Sequence, residues 1–198
     1  MSIPIRRIII VTGTPGVGKT SVSAALASRI DAQLVSLGEL IRKEKLYIGF
    51  DKERDTLIAD IEKISRRVGE IISKAQKDII IEGHLAVDVT PAEKASIVFV
   101  LRRNPEELKR ILEERSYTER KIMENLAAEI LDVCLFEAVK KFGVEKVCEI
   151  DVTSKSVNKV VQEILDVLGG LRERRVGVVD WLGKLEAEGK LEEYLDKF

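Results

Sequence analysis

The 198-residue chain predicts an α/β fold, a five-stranded parallel sheet with helices on both faces. Three observations carry that expectation. Short β-branched runs alternate with longer amphipathic segments, the pattern of βαβ units whose strands are buried on both faces. The first run, Arg7–Val11, leads into Gly13-Thr14-Pro15-Gly16-Val17-Gly18-Lys19-Thr20, which matches G-x-x-x-x-G-K-[ST]. A helical pattern opens directly afterwards at Ser21. Strand, glycine-rich loop and helix in this order make the match a phosphate-binding P-loop rather than a chance turn. The glycines let backbone N–H groups turn inward around a polyphosphate, and the helix N-terminus adds the positive end of its dipole. The fold class is therefore a P-loop NTPase fold.

The remaining strands are expected at Ala32–Ser36, Asp78–Glu82, Ala95–Leu101 and Val144–Asp151. Between the second and third, Leu37–Lys45 and the following Leu46-Tyr47-Ile48-Gly49-Phe50-Asp51 read as a helix pair. Asp60–Lys74 is an amphipathic helix with Ile61, Ile64, Val68, Ile71 and Ile72 on one stripe. Asn104-Pro105-Glu106-Glu107 starts another helix, with an N-cap, a first-position proline and acids against the dipole. Ser116-Tyr117-Thr118-Glu119 has the capping-box pattern and predicts a long helix through Ile122, Leu126, Ile130 and Cys134. Gly169-Gly170 ends the helix Ser156–Leu168. Beyond it, Val178–Leu182 and Leu185, Leu191, Tyr194 and Leu195 predict one or two short helices, docked on the core or on a partner. The expected organisation is a core of residues 1–170, with an acceptor-binding region at about 36–59 and a short lid at about 114–122, followed by a helical extension at 171–198.

Composition narrows the function classes. Lys+Arg number 33 and Asp+Glu 34, a formal net charge of −1, which is no electrostatic footprint for DNA or non-specific nucleic-acid binding. No apolar run is long enough for a membrane span and the first strand starts almost at once, so a cytoplasmic protein without membrane attachment is expected. Cys134 and Cys148 lack metal or redox spacing and are expected to pack in the interior. Guanine-nucleotide switching is excluded by motif. Asn158-Lys159-Val160-Val161 lacks the Asp of N-K-x-D, and Asp166-Val167-Leu168-Gly169 closes the last core helix, where no γ-phosphate can be sensed.

Phosphoryl transfer asks for more than a P-loop. The loop backbone at Gly13, Pro15, Gly16, Val17, Gly18, Lys19, Thr20 and Ser21 would hold ATP, with Lys19 on the β/γ-phosphates and the Thr20 hydroxyl on Mg²⁺. Arg115, Arg120 and Lys121, with Arg110 about a turn earlier, place cations in a polar break between two helices. They serve either as a lid that neutralises the transferring group or as a solvated corner. Arg42 is placed to make a bidentate contact with an acceptor phosphate, or is a surface arginine. The third strand ends in Glu82-Gly83-His84. A carboxylate at the C-terminal end of this strand faces the ligand side of the sheet, where Glu82 would hold Mg²⁺ through water or orient the acceptor. His84, the single histidine, is a functional candidate beside it.

With these residues in view, the chain resembles the adenylate kinase isoenzyme-6 type, over roughly residues 7–168. The likeness rests on Gly13–Thr20, Leu37-Gly38-Glu39-Leu40-Ile41-Arg42, Leu46–Asp51, Phe99-Val100-Leu101-Arg102, and Arg115-Ser116-Tyr117 followed by Asn125. The resemblance implies ATP + AMP ⇌ 2 ADP with Mg²⁺, Lys19 and its neighbours on ATP, Arg42 in the AMP-binding region and Arg115 in the lid. It also implies intrinsic ATPase activity and, as an alternative cellular role, an ATP-driven factor in small-ribosomal-subunit maturation that binds a ribosomal protein. A kinase of a non-nucleotide metabolite is the third class. His84 matches the histidine of the family's D-x-H motif, whose Asp is replaced here by Glu82, and Ser116 stands where Gly is usual.

Overall fold

The computed structural model describes residues 6–52 and 54–195. Five strands, β1 (Ile8–Thr12), β2 (Gln33–Ser36), β5 (Ile79–Glu82), β6 (Ile97–Arg102) and β7 (Val147–Asp151), form one parallel sheet in the order β2-β5-β1-β6-β7. The central strand β1 is held on both edges: Ile9 lies opposite Ile80 on one side and Ile97 on the other. All five positions of β1 are buried, which is why its sequence runs apolar without alternation.

Successive residues of β1 point into two different layers. Ile9 and Val11 pack with Leu26 of α1 (Lys19–Ile30), Leu108 of α5 (Pro105–Glu114), Leu126 of α6 (Glu119–Ile130) and Ile164 of α8 (Val157–Leu168). Ile8 and Ile10 pack with Ile41 of α2 (Leu37–Glu44), Ile64 of α3 (Ile61–Lys74), Val87 of α4 (Ala86–Val89) and Phe142 of α7 (Val133–Phe142). Helix starts follow the polar residues that precede them. Asn104 accepts from the backbone N–H groups of Glu106 and Glu107, and Asp60 and Ser156 accept from Lys63 and Lys159.

Four local expectations are corrected. The segment after α2 is not a second helix but an antiparallel hairpin, β3 (Tyr47–Asp51) with β4 (Thr56–Ala59). Its side chains alternate, with Tyr47, Leu57 and Ala59 against the core and Ile48, Phe50 and Ile58 exposed, a period of two rather than 3.6. The N-cap of α6 is Thr118, whose side chain accepts from Lys121, while Ser116 takes a left-handed φ of 57° in the connection before it. The long helix predicted through Cys134 breaks after Ile130. Asp132 turns left-handed with φ 57°, its carboxylate paired with Arg102, and Cys134 belongs to α7. The stretch Val144–Lys146, expected as strand, is a 3₁₀ turn leading into β7.

The tail forms two short helices, α9 (Trp181–Ala187) and α10 (Leu191–Leu195). Of the two docking alternatives, the structure shows the chain's own core: Trp181, Leu185 and Tyr194 are buried in the layer that holds Ile9 and Val11. Among the described residues, no helix is long and apolar enough to cross a membrane.

Candidate active site

The loop Gly13–Thr20 joins the end of β1 to the start of α1, and sterics explain its glycines. Gly13 has φ 134°, and a Cβ there would sit 2.4 Å from the Leu101 carbonyl oxygen on the neighbouring strand. Gly18 is the N-cap of α1 with φ 104°, so the first helical N–H groups are turned towards the loop without a side chain in the way. Lys19 donates to the carbonyls of Gly13 at 2.7 Å and Thr14 at 3.0 Å. Its ammonium is pushed down to about 8 by burial and also by the charge of Arg115, against the pull of Cys134, Glu82 and Glu129. A cation held so uncomfortably is a site that gains from an incoming anion.

The Thr20 hydroxyl donates to Glu82 Oε1 at 3.4 Å, which brings the end of β5 to the start of α1. Glu82 is buried and Thr20 exposed, so a hydroxyl and a carboxylate oxygen meet at the solvent edge of the loop. Two hard oxygen donors suit Mg²⁺, which is usually held by one or two carboxylates together with substrate phosphates. Among the described residues no group of three or more His, Cys, Asp or Glu is assembled for a metal ion.

His84 follows β5 on the ligand side and keeps solvent contact. The surrounding protein, and secondarily the Lys19 ammonium, push its pKa below 6.5, with Asp88 opposing, so the ring is neutral at pH 7. Arg42, in the last turn of α2, is exposed and stretches back over Gly38, and Arg115 caps the end of α5. Neither guanidinium has a protein partner among the described residues. Of the other predicted lid cations, Arg120 pairs with Glu124, whereas Lys121 lies 4.5 Å over the Tyr117 ring and donates to the Asp55 carbonyl in the β3–β4 turn. Arg110 is exposed on α5.

Sequence reasoning missed the residues that support the loop from behind. Thr14 Oγ1 donates to Glu129 Oε2 at 2.5 Å. Glu129 in turn accepts from Arg102 Nε at 2.9 Å and from the Arg103 backbone at 3.0 Å. Arg102 also donates to Glu149 at 2.7 Å. Burial alone would pull the Arg102 guanidinium down, but Glu129 and Asp132 outweigh it and hold it above its ordinary value, while burial pushes Glu149 up. Arg103 lies over the loop, donating to the Val17 carbonyl at 3.3 Å, and its Nε is buried with no partner. The available signal was charge in apolar company: Arg102 and Glu149 close or interrupt β-branched runs, and Glu129 interrupts the apolar stretch Leu126–Leu131. Of the two cysteines, Cys148 is buried as expected. Cys134 is half-buried close to Thr14 and Lys19, with burial pushing its thiol up.

Comparison with known proteins gives a consistent picture. A family profile described as an AAA domain matches residues 9–132. A protein of Methanocaldococcus jannaschii described as "Putative adenylate kinase" is 42% identical over 176 residues, spanning 89% of this chain and 93% of that one. A Methanothermobacter thermautotrophicus protein with the same description is 42% identical over 177 residues, covering 89% and 98%. Among solved structures, shikimate kinase from Acinetobacter baumannii superposes with a TM-score of 0.61 at 16% identity, over 87% of this chain and 98% of that one. Thymidylate kinase from Candida albicans gives 0.54 at 14% identity, over 84% and 92%. These two likenesses are of fold.

Proposed function

The chain belongs to the P-loop kinase family whose archaeal members carry the adenylate-kinase description, and from that premise we propose that it is a Mg²⁺-dependent adenylate kinase, ATP + AMP ⇌ 2 ADP. The supporting observation is the charge layout around the loop. Lys19 is an under-neutralised cation inside it, and Arg42 on α2 and Arg115 at the end of α5 are guanidinium groups without protein partners among the described residues. Free cations of this kind await polyanions.

In this reading the loop N–H groups and Lys19 hold the β- and γ-phosphates of ATP. Arg42 grips the AMP phosphate and sets its oxygen in line with the γ-phosphorus. Arg115 adds positive charge over the transferring group. Thr20 and Glu82 are the residues that would hold Mg²⁺, which when bound neutralises charge on the β- and γ-oxygens. The acceptor oxygen is already anionic, so positioning and charge neutralisation suffice and no strong base is required.

A second activity is favoured by the place of His84, exposed just after Glu82 at the end of β5, where the surrounding protein and the Lys19 charge hold its imidazole below the ordinary histidine value. A neutral imidazole is able to accept a proton from water, so slow AMP-independent ATP hydrolysis accompanies transfer. That pairing fits the isoenzyme-6 type and its alternative role as an ATP-driven assembly factor binding a small-subunit ribosomal protein. The deciding experiment incubates the protein with Mg²⁺-ATP, with and without AMP, and follows ADP and phosphate. Rapid ADP formation that needs AMP is expected. ADP and phosphate at equal rates with and without AMP would overturn the kinase assignment.

A further inference from the structure

The tail and the P-loop share a carboxylate. Trp181, the chain's single tryptophan and the first residue of α9, is buried and donates its Nε1 proton to Glu129 Oε1 at 3.3 Å. The other oxygen of the same carboxylate accepts from Thr14 at 2.5 Å. A second link runs in parallel: the Val178 N–H donates to Glu149 Oε2 at 2.6 Å, while Glu149 Oε1 accepts from Arg102, which also grips Glu129. Glu129, Glu149 and Arg102 are each 1% exposed, so these bonds are not shared with bulk water. In such surroundings the orientation of a carboxylate follows its donors closely, because a lost donor is not replaced by solvent.

We propose that Trp181 and Glu129 are positioning residues for the phosphate-binding loop, so that the docked tail sets the affinity of the site for nucleotide. The path is short. Trp181 fixes the Glu129 carboxylate, Glu129 fixes the Thr14 hydroxyl, and the Thr14 carbonyl is one of the two oxygens that carry Lys19. Neither residue touches nucleotide in this scheme. Both act by restricting the loop to one conformation before the ligand arrives, which lowers the ordering cost of binding. The proposal rests on the nucleotide-binding reading above.

The test uses the full chain and Mg²⁺-ATP, with the dissociation constant measured by calorimetry and thermal stability by scanning. Trp181→Phe keeps an aromatic ring in the buried position while removing the N–H donor together with the pyrrole half of the indole, so the thermal scan reads the packing loss and the dissociation constant reads the relay. It should weaken ATP binding on the order of fivefold to tenfold, the effect of one lost bond to a buried charged group after partial relaxation. Thr14→Val should weaken binding as well, and the double variant should be no weaker than Thr14→Val alone, because both changes cut one path. If Trp181→Phe lowers thermal stability while the dissociation constant stays at the wild-type value, or if the two losses multiply, the relay is refuted. Should Trp181→Phe fail to fold, the wild-type protein decides. Saturating ATP should shift the emission of its single tryptophan, and Thr14→Val should abolish the shift; an emission spectrum indifferent to ATP overturns the proposal. A wild-type chain that binds no ATP fells the nucleotide reading itself, and this inference with it.

Discussion

Binding of Mg²⁺-ATP should weaken about tenfold between pH 7 and pH 9, and the reason lies in Lys19. With its pKa at about 8 in the free protein, the ammonium is roughly nine-tenths protonated at pH 7 and about one-tenth protonated at pH 9. A polyphosphate seated in the loop raises that pKa, so the bound state keeps the proton across the range. Each binding event above pH 8 must therefore take up a proton, and the apparent affinity falls by about a factor of ten per pH unit there. The phosphate oxygens contribute little, since their last ionisation lies near pH 6. The other groups acting on Lys19 are Glu82, Glu129, Cys134 and Arg115. Calorimetry from pH 7 to 9, in two buffers of different ionisation enthalpy, reads affinity and proton uptake together. Uptake should rise from near zero at pH 7 towards one proton at pH 9. A dissociation constant that stays flat over this range, with no uptake, would refute the argument. The same shift has a consequence for folding with the sign opposite to that of a paired lysine. The folded pKa lies below the unfolded value of 10.5, so the penalty from Lys19 is full below pH 8 and fades as pH rises towards 10.5.

Four further outcomes are expected. Arg42→Ala should raise KM for AMP by at least tenfold with KM for ATP nearly unchanged; equal losses for both substrates would take Arg42 off the acceptor side. Arg115→Ala should lower kcat more than it raises either KM, because a lid cation meets the phosphates in the closed state, and an unchanged kcat would reduce that segment to a solvated corner. His84→Ala should cut AMP-independent hydrolysis far more than AMP-dependent transfer, since water must be oriented and deprotonated whereas AMP brings its own anion; hydrolysis preserved in a folded variant removes His84 from the chemistry. Arg102→Ala should destabilise the fold by about 3–5 kcal/mol in denaturant titration, because it strands the buried carboxylates of Glu129 and Glu149, and a loss below about 1 kcal/mol would mean that water replaces the guanidinium.

The sheet was legible because its strands are two-sided: Ile8–Val11, Ile79–Ile81 and Ile97–Leu101 are buried on both faces and stand out as unbroken apolar runs. The helices with side-chain caps at Asp60, Asn104 and Ser156 were legible for an equally local reason. The hairpin at Tyr47–Ala59 was not, since five residues of mixed apolar character fit either period and only the exposed Ile48 and Phe50 reveal the alternation. The break at Asp132 was hidden because it depends on Arg102, thirty residues away in sequence. At the site, a loop motif with its own backbone requirements could be read directly. The support behind Thr14 could not, because Glu129, Arg102, Glu149 and Trp181 meet only after the sheet and tail have assembled.

The strand order also imposes a timetable on synthesis. β1 is made first but its two neighbours are β5 and β6, so Ile8 waits for Ile79 and Ile9 for Ile97. At translation rates of about 5–20 residues per second, that is an interval of roughly 3–14 s during which a run of isoleucine and valine has no edge to pair with. Such a segment is an aggregation hazard in the nascent chain, and pairings so distant in sequence fold slowly. The excursion between β2 and β5 lengthens the wait: every residue added to the acceptor region prolongs the exposure of the strand that carries the phosphate loop. Growth of that region is therefore limited by what the nascent chain tolerates as well as by what its acceptor demands.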